Sequence, residues 1–159
     1  MTHRLLVCAD GSTAAIEAAR VAVDLVARHG GEVRGVFVAD VRAAAETTSA
    51  LGGDEAWARD RLLRGGRAVL ATIEQLGESR GVAVETALEH GEPVDAIMHA
   101  AQDWDPDLIL IGRTGRRGPG SSVMGSTTAH IIEFTEWPVV VVPARRDRQE
   151  AQRSRLGPP

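Results

Sequence analysis

The chain has no lysine, so all 18 of its Lys/Arg-class residues are arginine. That absence excludes the P-loop, because G-x-x-x-x-G-K-[ST] needs a lysine to reach the phosphates. A single cysteine, Cys8, excludes an intramolecular disulfide framework and fits a reducing compartment. It sits in the first apolar run, where the plain expectation is a small buried hydrophobe. No apolar run approaches the length of a membrane span. The apolar stretch in MTHRLLVCADGS is too short for a signal peptide, so a cytoplasmic protein with no membrane partner is expected. His3, His29, His90, His99 and His130 lack metal-ligand spacing, and no zinc site is indicated. H-E-x-x-H does not occur.

The 159 residues suit one domain with a sizeable core. Hydrophobic residues make up 43%, and much of that is alanine, which suggests closely packed helices. With a net charge of −4, the chain as a whole is not built to bind nucleic acid. Positive charge is local instead: Arg113, Arg116 and Arg117 in one glycine-rich loop, and Arg145, Arg146, Arg148, Arg153 and Arg155 near the end.

Taken in order, residues 4–9 read as a short buried strand ending in Asp10-Gly11-Ser12. Ser12 can cap the helix that follows, in which Ala15, Ala19, Ala22 and Val26 recur at helical spacing. Gly30 and Gly31 end it, and 32–38 is a second strand. Residues 40–53, with their alanines, threonines and a final glycine pair, read as a mobile connection. A long helix follows over about 54–79, interrupted by Gly65-Gly66, where a closely packed neighbour would account for the small residues. A third strand is expected over 82–88, and a helix from His90-Gly91-Glu92-Pro93 onward with Val94, Ile97, Met98 and Ala101 on its apolar face. The remaining elements are a strand over 108–111, a helix over about 122–135, and a fully buried fifth strand in the four valines Val139 to Val142. The alternation predicts an α/β fold: a single domain over 1–143 with a five-stranded parallel open sheet and helices on both faces, Rossmann-like. The polar, arginine-rich tail over 144–159 is expected to be disordered.

The chain is organised around Asp107 to Thr128, where an apolar strand breaks into a loop carrying Gly112, Gly115, Gly118 and Gly120 and closes on Gly125-Ser126 at the start of a helix. Glycines let backbone approach an anion closely, and the free N–H groups and dipole of a helix start attract it. The dinucleotide fingerprint G-x-G-x-x-G is absent. What stands here is Gly112-x2-Gly115-x9-Gly125-Ser126. That pattern resembles the nucleotide-binding motif of the ATP-binding branch of the universal stress protein family. The likeness runs from about Arg4 to Pro143 and also rests on LLVCADGS and GEVRGVFVAD.

The resemblance implies the following roles. Asp10 is the acidic residue that closes the first strand and faces the nucleotide. The Val38 backbone contacts adenine, and Gly112 lines the ribose. Gly115, Gly125, Ser126 and Thr127 hold phosphates. The implied ligand is ATP, with AMP or cyclic AMP as alternatives and magnesium as a companion. The implied assembly is a homodimer through Val139 to Val142. Cys8-Ala9 before Asp10, Thr127 in place of a frequent aliphatic residue, and Pro119-Gly120 in the spacer depart from the common pattern.

The residues themselves leave plainer alternatives. Asp10 can serve only the first helix, Ser126 can be a helix cap, and the loop arginines can be a solvated face. His130 reads as a surface or packing residue. Asp10 is the only obvious acid at the rim, which argues against phosphoryl transfer. The leading expectation is therefore a regulatory module that senses an adenine nucleotide in the stress response. The alternatives are a slow ATPase or self-phosphorylating enzyme using Ser121, Ser122, Ser126 or Thr127, a ligand-free dimeric interaction protein, and, more distantly, a flavoprotein-like dinucleotide domain.

Overall fold

A computed structural model describes residues 3–115 and 123–144. Five strands form one sheet: β1 (Arg4–Ala9), β2 (Glu32–Ala39), β3 (Val84–His90), β4 (Leu108–Gly112) and β5 (Val139–Val142). Five helices connect them: α1 (Thr13–His29), α2 (Val41–Ala50), α3 (Glu55–Glu78), α4 (Pro93–Trp104) and α5 (Ser126–Phe134). The strand order is β3-β2-β1-β4-β5, and every pairing is parallel.

The central strands are apolar at successive positions because both sheet faces are covered. Leu5 and Val7 of β1 and Leu110 of β4 face α1 and α3, in one cluster with Ala18, Ala22, Val23 and Ile73. Leu6, Cys8, Ile109 and Ile111 point the other way, against Ile97, Ala101 and Trp104 of α4 and Ile131 of α5. Helix α1 presents Ala14, Ala15, Ala18, Ala19 and Ala22 to the sheet, all buried. Such small side chains let it lie close to β4. A Cβ on Gly112 would come 2.7 Å from the Ala15 backbone nitrogen. The same logic accounts for Gly66, where a Cβ would meet the Phe37 ring at 2.6 Å.

Four expectations need correction. The segment read as a mobile connection over 40–53 contains α2. The Asp40 carboxylate accepts a hydrogen bond from the Ala43 N–H at 2.9 Å, and Arg42 pairs with Glu46 one turn on at 3.0 Å. Helix α2 buries no residue, so it carries no apolar stripe to read. The third strand runs over Val84–His90, two residues later than expected at each end. Helix α5 begins at Ser126, and its N-cap is Gly125, so Ser126 is the first helical residue and not the cap. The four valines of β5 are not fully buried: the first three are half-buried, because β5 is the edge of the sheet. Gly118, Pro119, Gly120, Arg116, Arg117, Ser121, Ser122 and the tail beyond Ala144 lie outside the described residues.

Candidate functional site

In this sheet the chain moves outward in one direction from β1 to β2 and β3, and in the other from β1 to β4 and β5. The order reverses between β1 and β4, and crevices in open α/β sheets form at the carboxyl ends of the strands at such a point. A cleft of about 380 Å³ lies there. Asp10, Val38, Gly112, Gly115, Gly125, Ser126 and Thr127 all line it, so the structure brings every site residue named from the sequence to one place.

One end of the cleft is apolar. Val36 and Val38 of β2, Ile97 and Pro93 of α4, and Ile111 of β4 form its walls, with Cys8 and Ala9 beside them. The Cys8 thiol is pushed up to about 12, first by burial and then by the nearby Asp10 carboxylate. It stays protonated at neutral pH and acts as a small hydrophobe.

The other end is polar backbone. Asp10 leaves β1 and accepts a hydrogen bond from the Ser12 N–H at 2.8 Å, while the Ser12 hydroxyl accepts one from the Ala15 N–H at 3.1 Å. Asp10 therefore does support the turn into α1, and Gly11 makes that turn with φ +80°. A Cβ on Gly115 would stand 3.3 Å from the second Asp10 oxygen, so this carboxylate also borders the glycine loop. The exit from β4 is tied down twice. Arg113 donates to the Val142 carbonyl at 2.8 Å, and Gly125 donates to the Arg113 carbonyl at 2.9 Å. These bonds fix the first turn of α5 beside Gly115. The N-cap of α5 is Gly125, which has no side chain to cap the helix, and the first two helical residues, Ser126 and Thr127, line the cleft.

Two threonines escaped the sequence reading. Thr128 is buried, and its hydroxyl donates to the Gly112 carbonyl at 2.8 Å, joining the third residue of α5 to the last residue of β4. Thr114 is buried and lines the cleft. Neither had a local signal: the Thr128 contact spans 16 residues and depends on where α5 begins. His130 is exposed and stacks on Phe134, with ring centroids 6.2 Å apart.

The architecture is thus an open parallel α/β sheet with a glycine-walled cleft at its switch point. The chain belongs to the universal stress protein family, whose model matches residues 1–143. Universal stress protein MJ0531 of Methanocaldococcus jannaschii is 28% identical over 141 residues, covering 87% of this chain and 81% of that one. The structure of universal stress protein UspA from Lactobacillus plantarum is similar with a TM-score of 0.75 and 27% identity, over 88% of this chain and 97% of that one. Two more distant structures share the fold and hold ligands. A universal stress protein in complex with cAMP superimposes with TM-score 0.64 at 19% identity, over 90% of this chain and 98% of that one. The Archaeoglobus fulgidus universal stress protein in complex with dAMP does so with TM-score 0.65 at 20% identity, over 89% and 98%.

Proposed function

We propose that the cleft binds an adenine nucleotide, with ATP as its ligand, and that the protein acts as a nucleotide-sensing regulatory module in the stress response. The observation that carries this reading is the polarity of the cleft. An apolar end lined by Val36, Val38 and Ile97 leads to a helix start whose N-cap is a glycine and which is walled by Gly115 and Gly125. A purine fits the first by burial of its faces. A phosphate fits the second through the N–H groups of Ser126 and Thr127 and the helix dipole. The glycines keep side chains out of the space between. The cAMP and dAMP complexes of distant relatives agree with an adenine ligand. The G-x2-G-x9-G-S spacing favours the ATP-binding branch of the family.

Among the described residues Asp10 is the one carboxylate lining the cleft, and one of its oxygens is already engaged by the α1 turn. A single acid suits a magnesium contact better than turnover, so binding and not hydrolysis is the proposed activity. The homodimer through β5 belongs to the same proposal. The outer edge of β5 is open among the described residues, and Ile132 and Phe134 of α5 are exposed.

Calorimetric titration of the ligand-stripped protein with ATP and magnesium, then with AMP and cyclic AMP, tests the reading. Micromolar binding of ATP is the expected result. Preference for cyclic AMP would keep the site and change the signal. No binding of any of the three at millimolar concentration would overturn the proposal.

A further inference from the structure

A second cavity, of about 740 Å³, is walled by α2 and α3. It touches the nucleotide cleft only along Asp10, Ser12, Thr114 and Gly115. Three features of its wall have no role in the fold described above. The first is Gly65, inside the 24-residue α3. Glycine weakens a helix interior. Packing against Phe37 explains Gly66, but a Cβ on Gly65 would meet nothing within 4 Å, and Gly65 lines the cavity. The second is Trp57, 54% exposed at the cavity wall, with the Arg61 guanidinium 5.2 Å from its ring. Arg61 has no carboxylate partner among the described residues. The third is α2, which supplies Ala44 and Thr48 to the wall yet buries no residue of its own.

We propose that this cavity is a second binding site, separate from the nucleotide cleft, for a small amphipathic aromatic anion carrying one carboxylate or sulfonate. Phe37, Leu62 and Val69 offer apolar surface to a ring system, and the bare backbone at Gly65 lets that ring lie close against α3. The Trp57 face stacks on the ring, and Arg61 holds the acidic group at the exposed end. Charge sets the orientation and the class. The one carboxylate in the wall among the described residues, Asp10, stands at the end shared with the nucleotide cleft, so the anion points away from it and a polyphosphate is disfavoured. The inference is independent of what occupies the nucleotide cleft.

The probe is anilinonaphthalene sulfonate, a fluorescent aromatic anion, with neutral phenylnaphthylamine as its control. The full chain is expected to bind one equivalent of the sulfonate saturably in the micromolar range. Gly65→Leu, which fills the cavity from a position where helix propensity improves, should weaken both probes by about tenfold or more without lowering the urea midpoint. Arg61→Gln should weaken the sulfonate several-fold and leave the neutral probe unchanged. Gly125→Val should leave both unchanged, and saturating ATP should not compete. Sulfonate binding that is unsaturable, indifferent to Gly65→Leu or displaced competitively by ATP would overturn the proposal.

Discussion

Gly112 and Gly125 bracket the glycine motif, and the structure predicts opposite consequences for filling them. A Cβ at Gly112 would lie 2.7 Å from the Ala15 nitrogen, 2.9 Å from the Ala14 carbonyl carbon and 3.0 Å from the Ala14 Cβ. Two of these are backbone atoms of a helix whose start is pinned by the Ser12 cap and whose next four turns are buried on the sheet. The helix or the strand must retreat by roughly half an ångström, and overpacking of that kind costs about 1–3 kcal/mol. Reduced freedom of the unfolded chain returns only about 0.4–1 kcal/mol, so Gly112→Ala is expected to lose about 1–2 kcal/mol net. At Gly125 the added Cβ meets Gly115 N at 3.5 Å and nothing closer, with φ at −62°, so the fold accepts it. A weaker N-cap, about 0.5–1 kcal/mol, cancels the gain in the unfolded state. The γ-methyls of Gly125→Val then enter the cleft between Gly115 and the start of α5. The expected pattern is a lowered urea midpoint for Gly112→Ala, and for Gly125→Val a near-native midpoint with ATP affinity down by about 1.4 kcal/mol or more, tenfold in Kd. Urea titration followed by far-ultraviolet circular dichroism reads the first quantity and calorimetry the second. Native ATP affinity in a folded Gly125→Val variant would refute the placement of the phosphates. A Gly112→Ala variant as stable as the parent would refute the packing account.

Two further predictions rest on the same geometry. Gly65→Ala should stabilise α3 by about 0.5–1 kcal/mol, because its Cβ meets nothing, whereas Gly66→Ala should destabilise by about 1–2 kcal/mol, because the buried Phe37 ring at 2.6 Å has nowhere to go. Equal urea midpoints for the pair would contradict both. The buried Cys8 thiol, held near about 12 by burial and then by Asp10, stays protonated in the folded state while the unfolded thiol titrates near 9. Its contribution to stability is therefore complete below pH 9 and is lost as pH rises from there toward 12, by about 1.4 kcal/mol one unit above the unfolded value. The parent should lose that much more than Cys8→Ala between pH 7 and pH 10. Equal losses would show that the folded thiol titrates normally.

The parts of the fold that were legible in the sequence are those where local pattern and tertiary burial agree. The alanine spacing of α1 and the apolar runs of β1 and β4 named both the elements and their buried faces, because a parallel sheet covered on both sides requires unbroken apolar strands. Helix α2 was missed because it is held by an Asp40 cap and a surface ion pair, which leave no apolar period to detect. The error at β5 has another origin. Four valines look the same whether a strand is central or at an edge, and only the strand order tells which. The site follows the same division. Gly115 and Gly125 were readable as cleft residues because a wall of bare backbone is written in residue type and spacing; the anion cradle they would form is the proposed part. Gly112 carries a second constraint, close packing of α1 on β4, which the motif alone does not reveal. Thr128 could not be read, since its bond to the Gly112 carbonyl depends on α5 starting at Ser126 and on the bond between Gly125 and the Arg113 carbonyl that sets that start. The spacing between Gly115 and Gly125 thus names two walls of the cleft. The hydrogen bonds at the end of β4 specify where the first turn of α5 is held against it.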